Sequence, residues 1–159
     1  MDLRSYLEQM GVRYRWLRHD ATYTAQELAQ SEHVSGKQVV KPVVVEADGR
    51  FVLCALPAAL YIDMDRLKQE LRVSEAHLAD EQAMQELFGD CELGAEPPIG
   101  RIFGLPTLMD DSLQTQQEVL FQAGTHQDAV AMSLQDYLRT AQPMVAHFAE
   151  RRQAPASSP

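Results

Sequence analysis

Cysteine is almost missing from this chain: Cys54 and Cys91 are the only two in 159 residues, and they form no Cys-x-x-Cys pair. That excludes a disulfide scaffold and a thiol redox motif, and it leaves no cysteine-rich zinc site. Long apolar runs are missing too; no stretch approaches the ~20 residues of a membrane span, and Met1 leads directly into polar residues rather than a basic and then apolar leader. A cytoplasmic protein is the expectation, with neither a membrane nor DNA as partner. Positive charge is scarce, 14 Lys and Arg against 23 Asp and Glu, for a net charge of −9. A broad basic surface for tracking a nucleic-acid backbone is therefore not available, so any nucleic acid must be met locally.

Several chemical motifs are also missing. The five histidines stand in no HxH, HExxH or Cys/His spacing, so no metal is expected. No Gly-x-Ser-x-Gly elbow and no glycine-rich nucleotide loop occurs, and no cofactor is expected. What remains is a globular composition, 45% hydrophobic with eight glycines and eight prolines, of a size that fits one domain over residues 1–150. Residues 151–159 lack apolar periodicity and read as a C-terminal tail.

Periodicity predicts an amphipathic helix over 2–10 ending at Gly11, a strand over 12–16, and a helix from the Thr24-Ala25-Gln26-Glu27 capping box to about Ser31. Two β-rich runs, 39–46 and 50–56, flank Asp48-Gly49 as a tight hairpin. Helices over 63–71 and 80–88 bracket a short strand within 72–78. Strands at 107–109, 118–122 and 129–132 then precede a last helix opened by Ser133. Interspersed helices and strands point to a mixed α/β (α+β) fold, one mixed sheet wrapped by helices.

Three places draw chemical interest. Lys41 interrupts the apolar strand Val39-Val40-Lys41-Pro42-Val43, where it either faces solvent or projects into a cleft to meet an anion. Pro42 cannot donate to a ladder, which places that stretch at a sheet edge or bulge. Gly94-Ala95-Glu96-Pro97-Pro98 reads as a connector, or as a stiffened loop whose amides could hold an ester oxygen. Gly124-Thr125-His126 follows a strand at a turn, where side chains often face a pocket mouth.

Together these pieces resemble the YbaK/EbsC and prolyl-tRNA synthetase-associated editing domains. The matching features are the segment from His19 to Glu27, Lys41, Gly94-x-x-x-Pro98, Ile99-Gly100, and Phe121-Gln122-Ala123-Gly124-Thr125-His126, in that order. The resemblance implies a barrel-like mixed sheet with flanking helices and hydrolysis of aminoacyl-tRNA esters by water, with the ribose hydroxyl of the substrate assisting. It implies catalytic roles for Lys41, Gly94 and His126, and substrate contacts from Tyr23, Ala95, Pro98, Gly124 and Thr125. The implied substrate is a tRNA mischarged with a small amino acid, most simply alanine on proline tRNA. The implied partner is the aminoacyl-tRNA acceptor end, aided by a synthetase or elongation factor. Pro42 and Ile99 depart from the family's usual Thr or Ser and Phe. A binding module without turnover is the alternative.

Overall fold

The computed structural model describes residues 2–151; the expected tail lies outside them, apart from residue 151. Among the described residues five α-helices and ten strands form a mixed α/β fold. The helix starts follow directly from capping chemistry. Asp2, Thr24, Asp63, Asp80 and Ser133 each accept an N–H from the first turn of α1 (Leu3–Met10), α2 (Ala25–Ser31), α3 (Met64–Leu71), α4 (Glu81–Leu87) and α5 (Leu134–Ala141). Gly11 ends α1 at φ 67°, a left-handed position that favours glycine.

The predicted hairpin is present as β2 (Val40–Ala47) and β3 (Arg50–Pro57). Both turn residues have positive φ, Asp48 at 47° and Gly49 at 83°, the geometry of a two-residue hairpin turn. The Asp48 carboxylate also accepts the Ser74 and Glu75 amides, which ties the turn to β5 (Ala76–Leu78).

The strand expected at 12–16 is shifted. It runs as β1 (Arg15–Arg18), because pairing with β8 (Asp128–Ser133) begins only where Arg15 meets Ala131. β7 (Glu118–Gln122) completes an antiparallel three-stranded sheet in the order β1-β8-β7. A second, five-stranded sheet has the order β5-β2-β3-β6-β9, with β6 (Thr107–Asp110) and β9 (Met144–Ala146) running parallel to their neighbours. Two short strands, β4 (Tyr61–Ile62) and β10 (Ala149–Glu150), pair apart from both sheets.

The two main sheets meet where Val39 bridges Leu120 in parallel and the Leu120 N–H donates to the Gln38 carbonyl at 3.2 Å. Pro42 lies on β2 beyond the reach of β5, which pairs only with residues 45–47. Its missing N–H therefore leaves no ladder bond unmade, as expected of an edge proline.

Three apolar clusters fill the molecule. The largest packs Leu3 and Leu7 of α1 and Tyr137 of α5 against Phe121 and Val40. A second lies under α2, joining Leu28 and Ala29 to Val39, Ala58 and Leu120. The third gathers Val45, Leu56, Leu67 and Phe148. Fully buried Leu7 is typical of the core; truncating it to Ala would cost about 2–5 kcal/mol. Asp110, also fully buried, accepts the Phe148 and Ala149 amides at 2.9 and 2.8 Å and so pins β10 to β6. No described helix is long and apolar enough to cross a membrane.

Candidate active site at the junction of the two sheets

Side chains on a strand alternate between faces. On β2 the even positions Val40 and Val44 enter the largest cluster, while Val39 joins the cluster under α2 and Val45 the third. Lys41 shares the face of Val39 and Val45 and occupies the gap between their clusters. It is half-buried rather than free in solvent. Its Nζ donates to the Ala58 carbonyl at 3.3 Å and sits 4.8 Å from the centre of the Tyr61 ring. Burial lowers its pKa from the ordinary lysine value.

The same alternation places Gln122. Gln122 lies two residues along β7 from Leu120, which bridges Val39 in parallel, so alternation puts it on the Leu120 face of β7, as it puts Lys41 on the Val39 face of β2. Gln122 is 5% exposed and its Oε1 has no hydrogen-bond partner. Buried polar atoms are nearly always paired, so this one asks for an explanation. The Thr22 hydroxyl and His19 Nε2 are two further such orphans among the described residues.

Two residues beyond Gln122 the chain reaches the glycine-rich loop. Gly124 turns at φ 95°, its N–H donates to the Ala95 carbonyl at 2.8 Å, and its carbonyl accepts the Glu92 N–H at 2.8 Å. The loop around Gly94 is thereby fixed to the end of β7. His126 closes the arrangement from the other side. Its Nδ1 lies 3.0 Å from the Thr22 carbonyl and its Nε2 2.9 Å from the Leu93 carbonyl, while its own N–H donates to Glu92 Oε1 at 2.7 Å. A neutral imidazole has one N–H to offer two acceptors, and neither nitrogen is turned toward open space. The ring clasps segment 22 to segment 93.

Gly94 lies beneath that ring. Its φ of 90° suits glycine, and a Cβ there would stand 3.4 Å from His126 Cε1. Tyr23, strongly exposed, packs its ring 4.8 Å from His126. Thr125 turns back to bond Asp128 Oδ2 at 2.6 Å and caps the turn. Pro98 faces inward, and its carbonyl accepts the hydroxyl of buried Tyr137 at 2.6 Å.

Of the residues singled out by sequence, Tyr23, Gly94, Ala95, Gly124 and His126 form one contact network. Lys41 belongs to a neighbouring group with Ala58 and Tyr61. The two groups are linked through α2, because Gln26, three residues after Tyr23, donates to the same Ala58 carbonyl as Lys41.

The sequence reading missed Glu92, Glu96 and Gln122. Glu96 is 4% exposed and takes the Gly94 N–H on its carboxylate at 3.0 Å. Nothing in a local pattern marks a glutamate as inward-facing, although its place between Ala95 and Pro97 in a rigid loop is a signal. Neither cysteine is a thiolate nucleophile. Burial pushes Cys54 up to about 12, and burial with the negative charges of Glu96 and Asp90 pushes Cys91 up to about 11.

A cavity of about 600 Å³ lies elsewhere: it is lined by Arg4, Trp16, Phe88, Phe103, Gly124 and Thr125 and touches neither Lys41 nor His126. Size alone does not mark chemistry, and the orphaned polar atoms of Thr22 and Gln122 are the better guide.

The family model for the aminoacyl-tRNA editing domain matches residues 19–140, a span that includes Lys41, the 94–98 loop and His126. This chain belongs to that family. An editing domain of this kind is a deacylase, a hydrolase of the aminoacyl-tRNA ester bond. Among curated proteins it is similar to the multifunctional Ser/Thr-tRNA deacylase ProXp-y of Escherichia coli (strain K12), with 29% identity over 151 residues covering 92% of this chain and 90% of that one. Two solved structures share the fold. One is described as a candidate trans-editing enzyme for prolyl tRNA synthetase, with a TM-score of 0.83, 24% identity and coverage of 93% and 94%. The other is the hypothetical protein APE2540, with a TM-score of 0.84, 21% identity and coverage of 93% and 99%.

Proposed function

We propose that this editing domain acts as a free-standing deacylase that removes small, wrongly attached amino acids from tRNA, with serine and threonine as the favoured acyl groups and alanine on proline tRNA as the further candidate. The observation that carries the reading is a half-buried cation, Lys41, joined through the shared Ala58 carbonyl to α2 beside Tyr23, with the rigid loop in which the Gly124 N–H holds the Ala95 carbonyl on the other side of Tyr23 and His126. The ammonium of Lys41 holds the terminal phosphate or ribose. The 94–96 backbone cradles the ester.

Water attacks the ester carbonyl carbon, and the carbonyl electron pair moves onto oxygen, where a backbone N–H steadies it. Collapse expels the ribose oxygen, which takes up a proton and leaves free amino acid and a tRNA with an intact terminal hydroxyl. With the His126 nitrogens committed and both thiols protonated, activation of the water falls to the neighbouring ribose hydroxyl of the substrate. His126 and Tyr23 act by positioning segments 22 and 93, and Thr125 shapes the turn.

The preference for hydroxyl amino acids is supported by two of the orphaned buried groups, Gln122 Oε1 on β7 and Thr22 Oγ1, whose residue's carbonyl meets His126. The relative that deacylates Ser- and Thr-tRNA supports the same choice. The acidic total is tolerable because only the acceptor end enters the site; a synthetase or elongation factor supplies further affinity in the cytoplasm.

A panel of seryl-, threonyl-, alanyl- and correctly charged tRNAs tests the proposal. The expected result is accelerated ester loss from the small mischarged species, abolished by Lys41→Ala, with Gln122→Met losing about tenfold on seryl- and threonyl-tRNA and little on alanyl-tRNA. No acceleration with any of them would reject the reading.

A further inference from the structure

The backbone of the 94–98 loop can be accounted for amide by amide. The Gly94 N–H is taken by Glu96 Oε1 at 3.0 Å, and the Ala95 N–H by the Glu92 carbonyl at 2.9 Å. Pro97 and Pro98 have no N–H. Just after the loop, Ile99 donates to the Pro97 carbonyl at 2.9 Å and Gly100 to Thr107 Oγ1 at 2.9 Å. Among the described residues only the Glu96 N–H is left without a partner in this stretch.

The carboxylate that occupies the Gly94 amide is itself unusual. Glu96 is 4% exposed, and none of the ion pairs among the described residues includes it. Burying a carboxylate without a cation is unfavourable, so a charge in this place needs compensation from hydrogen bonds or a function. What it does is visible in the geometry. By reaching back two residues to the Gly94 N–H, it closes a small ring that holds the left-handed Gly94 and fixes the peptide plane between Ala95 and Glu96, the plane that bears the free N–H.

We propose that Glu96 is a positioning residue whose carboxylate locks the loop so that its own backbone N–H is the donor that meets the ester oxygen. This rests on the deacylase reading above. The N–H bonds the carbonyl oxygen more strongly as negative charge develops on it, which is the condition for lowering a barrier rather than only binding substrate. The Pro97-Pro98 pair stiffens the far side of the same peptide, and the Ala95 carbonyl is fixed by Gly124. The amides of Gly94 and Ala95 take no part, being already engaged.

Two variants separate the lock from charge and from general packing. Glu96→Gln keeps an oxygen that accepts the Gly94 N–H, and its kcat on a mischarged tRNA should stay within about threefold of wild type. Glu96→Ala removes the acceptor and should lower kcat by about a hundredfold with KM little changed. A Glu96→Ala variant with undiminished kcat overturns the proposal, and so does a Glu96→Gln variant as impaired as Glu96→Ala, which would assign the carboxylate a charge or proton-transfer role.

Amide hydrogen exchange on the wild-type protein provides the second test, and it needs no variant to fold. The Gly94 and Ala95 amides should be protected, and the Glu96 amide should exchange freely until an amide-linked aminoacyl adenosine is added. A Glu96 amide protected in the free protein, or a Gly94 amide exposed to exchange, would overturn the lock. Inactivity of the wild type on every charged tRNA would instead strike the deacylase reading, while the exchange pattern would still report on the loop.

Discussion

Lys41 is placed by its neighbours on one face of one strand: Val39 before it belongs to the cluster under α2, and Val45 after it to the third cluster. The sequence showed a cation breaking an apolar run, but not which of two faces it took. That depended on the crossing of β2 with β7, a long-range contact. Glu96 was less legible still, because a glutamate beside two prolines reads as a solvated loop residue until its carboxylate is seen to close on Gly94. The lowered pKa of Lys41 has a direction that can be tested. Burial makes its folded value lower than the ordinary 10.5, so folding releases a proton between the two values and the buried charge opposes stability below both. Anion holding needs the ammonium, and it should therefore be lost as pH rises through the lowered value, before the ordinary lysine range is reached. Calorimetric titration with an amide-linked aminoacyl adenosine monophosphate should show that loss in the wild type and not in Lys41→Arg, which stays charged. Identical pH profiles for the two proteins would show that Lys41 does not hold the phosphate.

The elements that local chemistry dictates were readable. All five helix starts carry a capping side chain, and the Asp48-Gly49 turn fixes the register of β2 and β3 across their whole length. The elements created by tertiary pairing were not. β4, β9 and β10 are two or three residues long, too short for a period to show, and they exist because Asp110 and Phe148 bring their backbones together. The strand near the N-terminus was expected too early, since alternation over 12–16 says nothing about where a partner begins. The 94–98 loop was recognised by its glycine and prolines, yet its inner anchor is α5, through the Tyr137 hydroxyl on the Pro98 carbonyl. Tyr137→Phe leaves that buried carbonyl without a donor and should cost about 1–3 kcal/mol in urea unfolding, with a fall in deacylation from a loosened loop. A variant as stable and as active as wild type would show that the bond contributes neither.

At the scale of the molecule, two sheets of different pairing meet along a short seam, and the proposal puts the reactive hollow there rather than in the cavity between Trp16 and Phe103. A net charge of −9 with a half-buried lysine at the proposed site fits a protein that receives one chain end rather than a duplex. The most direct test is a crystal structure with an amide-linked seryl adenosine monophosphate bound. The account predicts the phosphate or ribose on Lys41, the acyl carbonyl within hydrogen-bond reach of the Glu96 N–H, and the serine hydroxyl near Gln122. A ligand seated instead in the cavity between Trp16 and Phe103, away from Lys41 and the 94–98 loop, would contradict it.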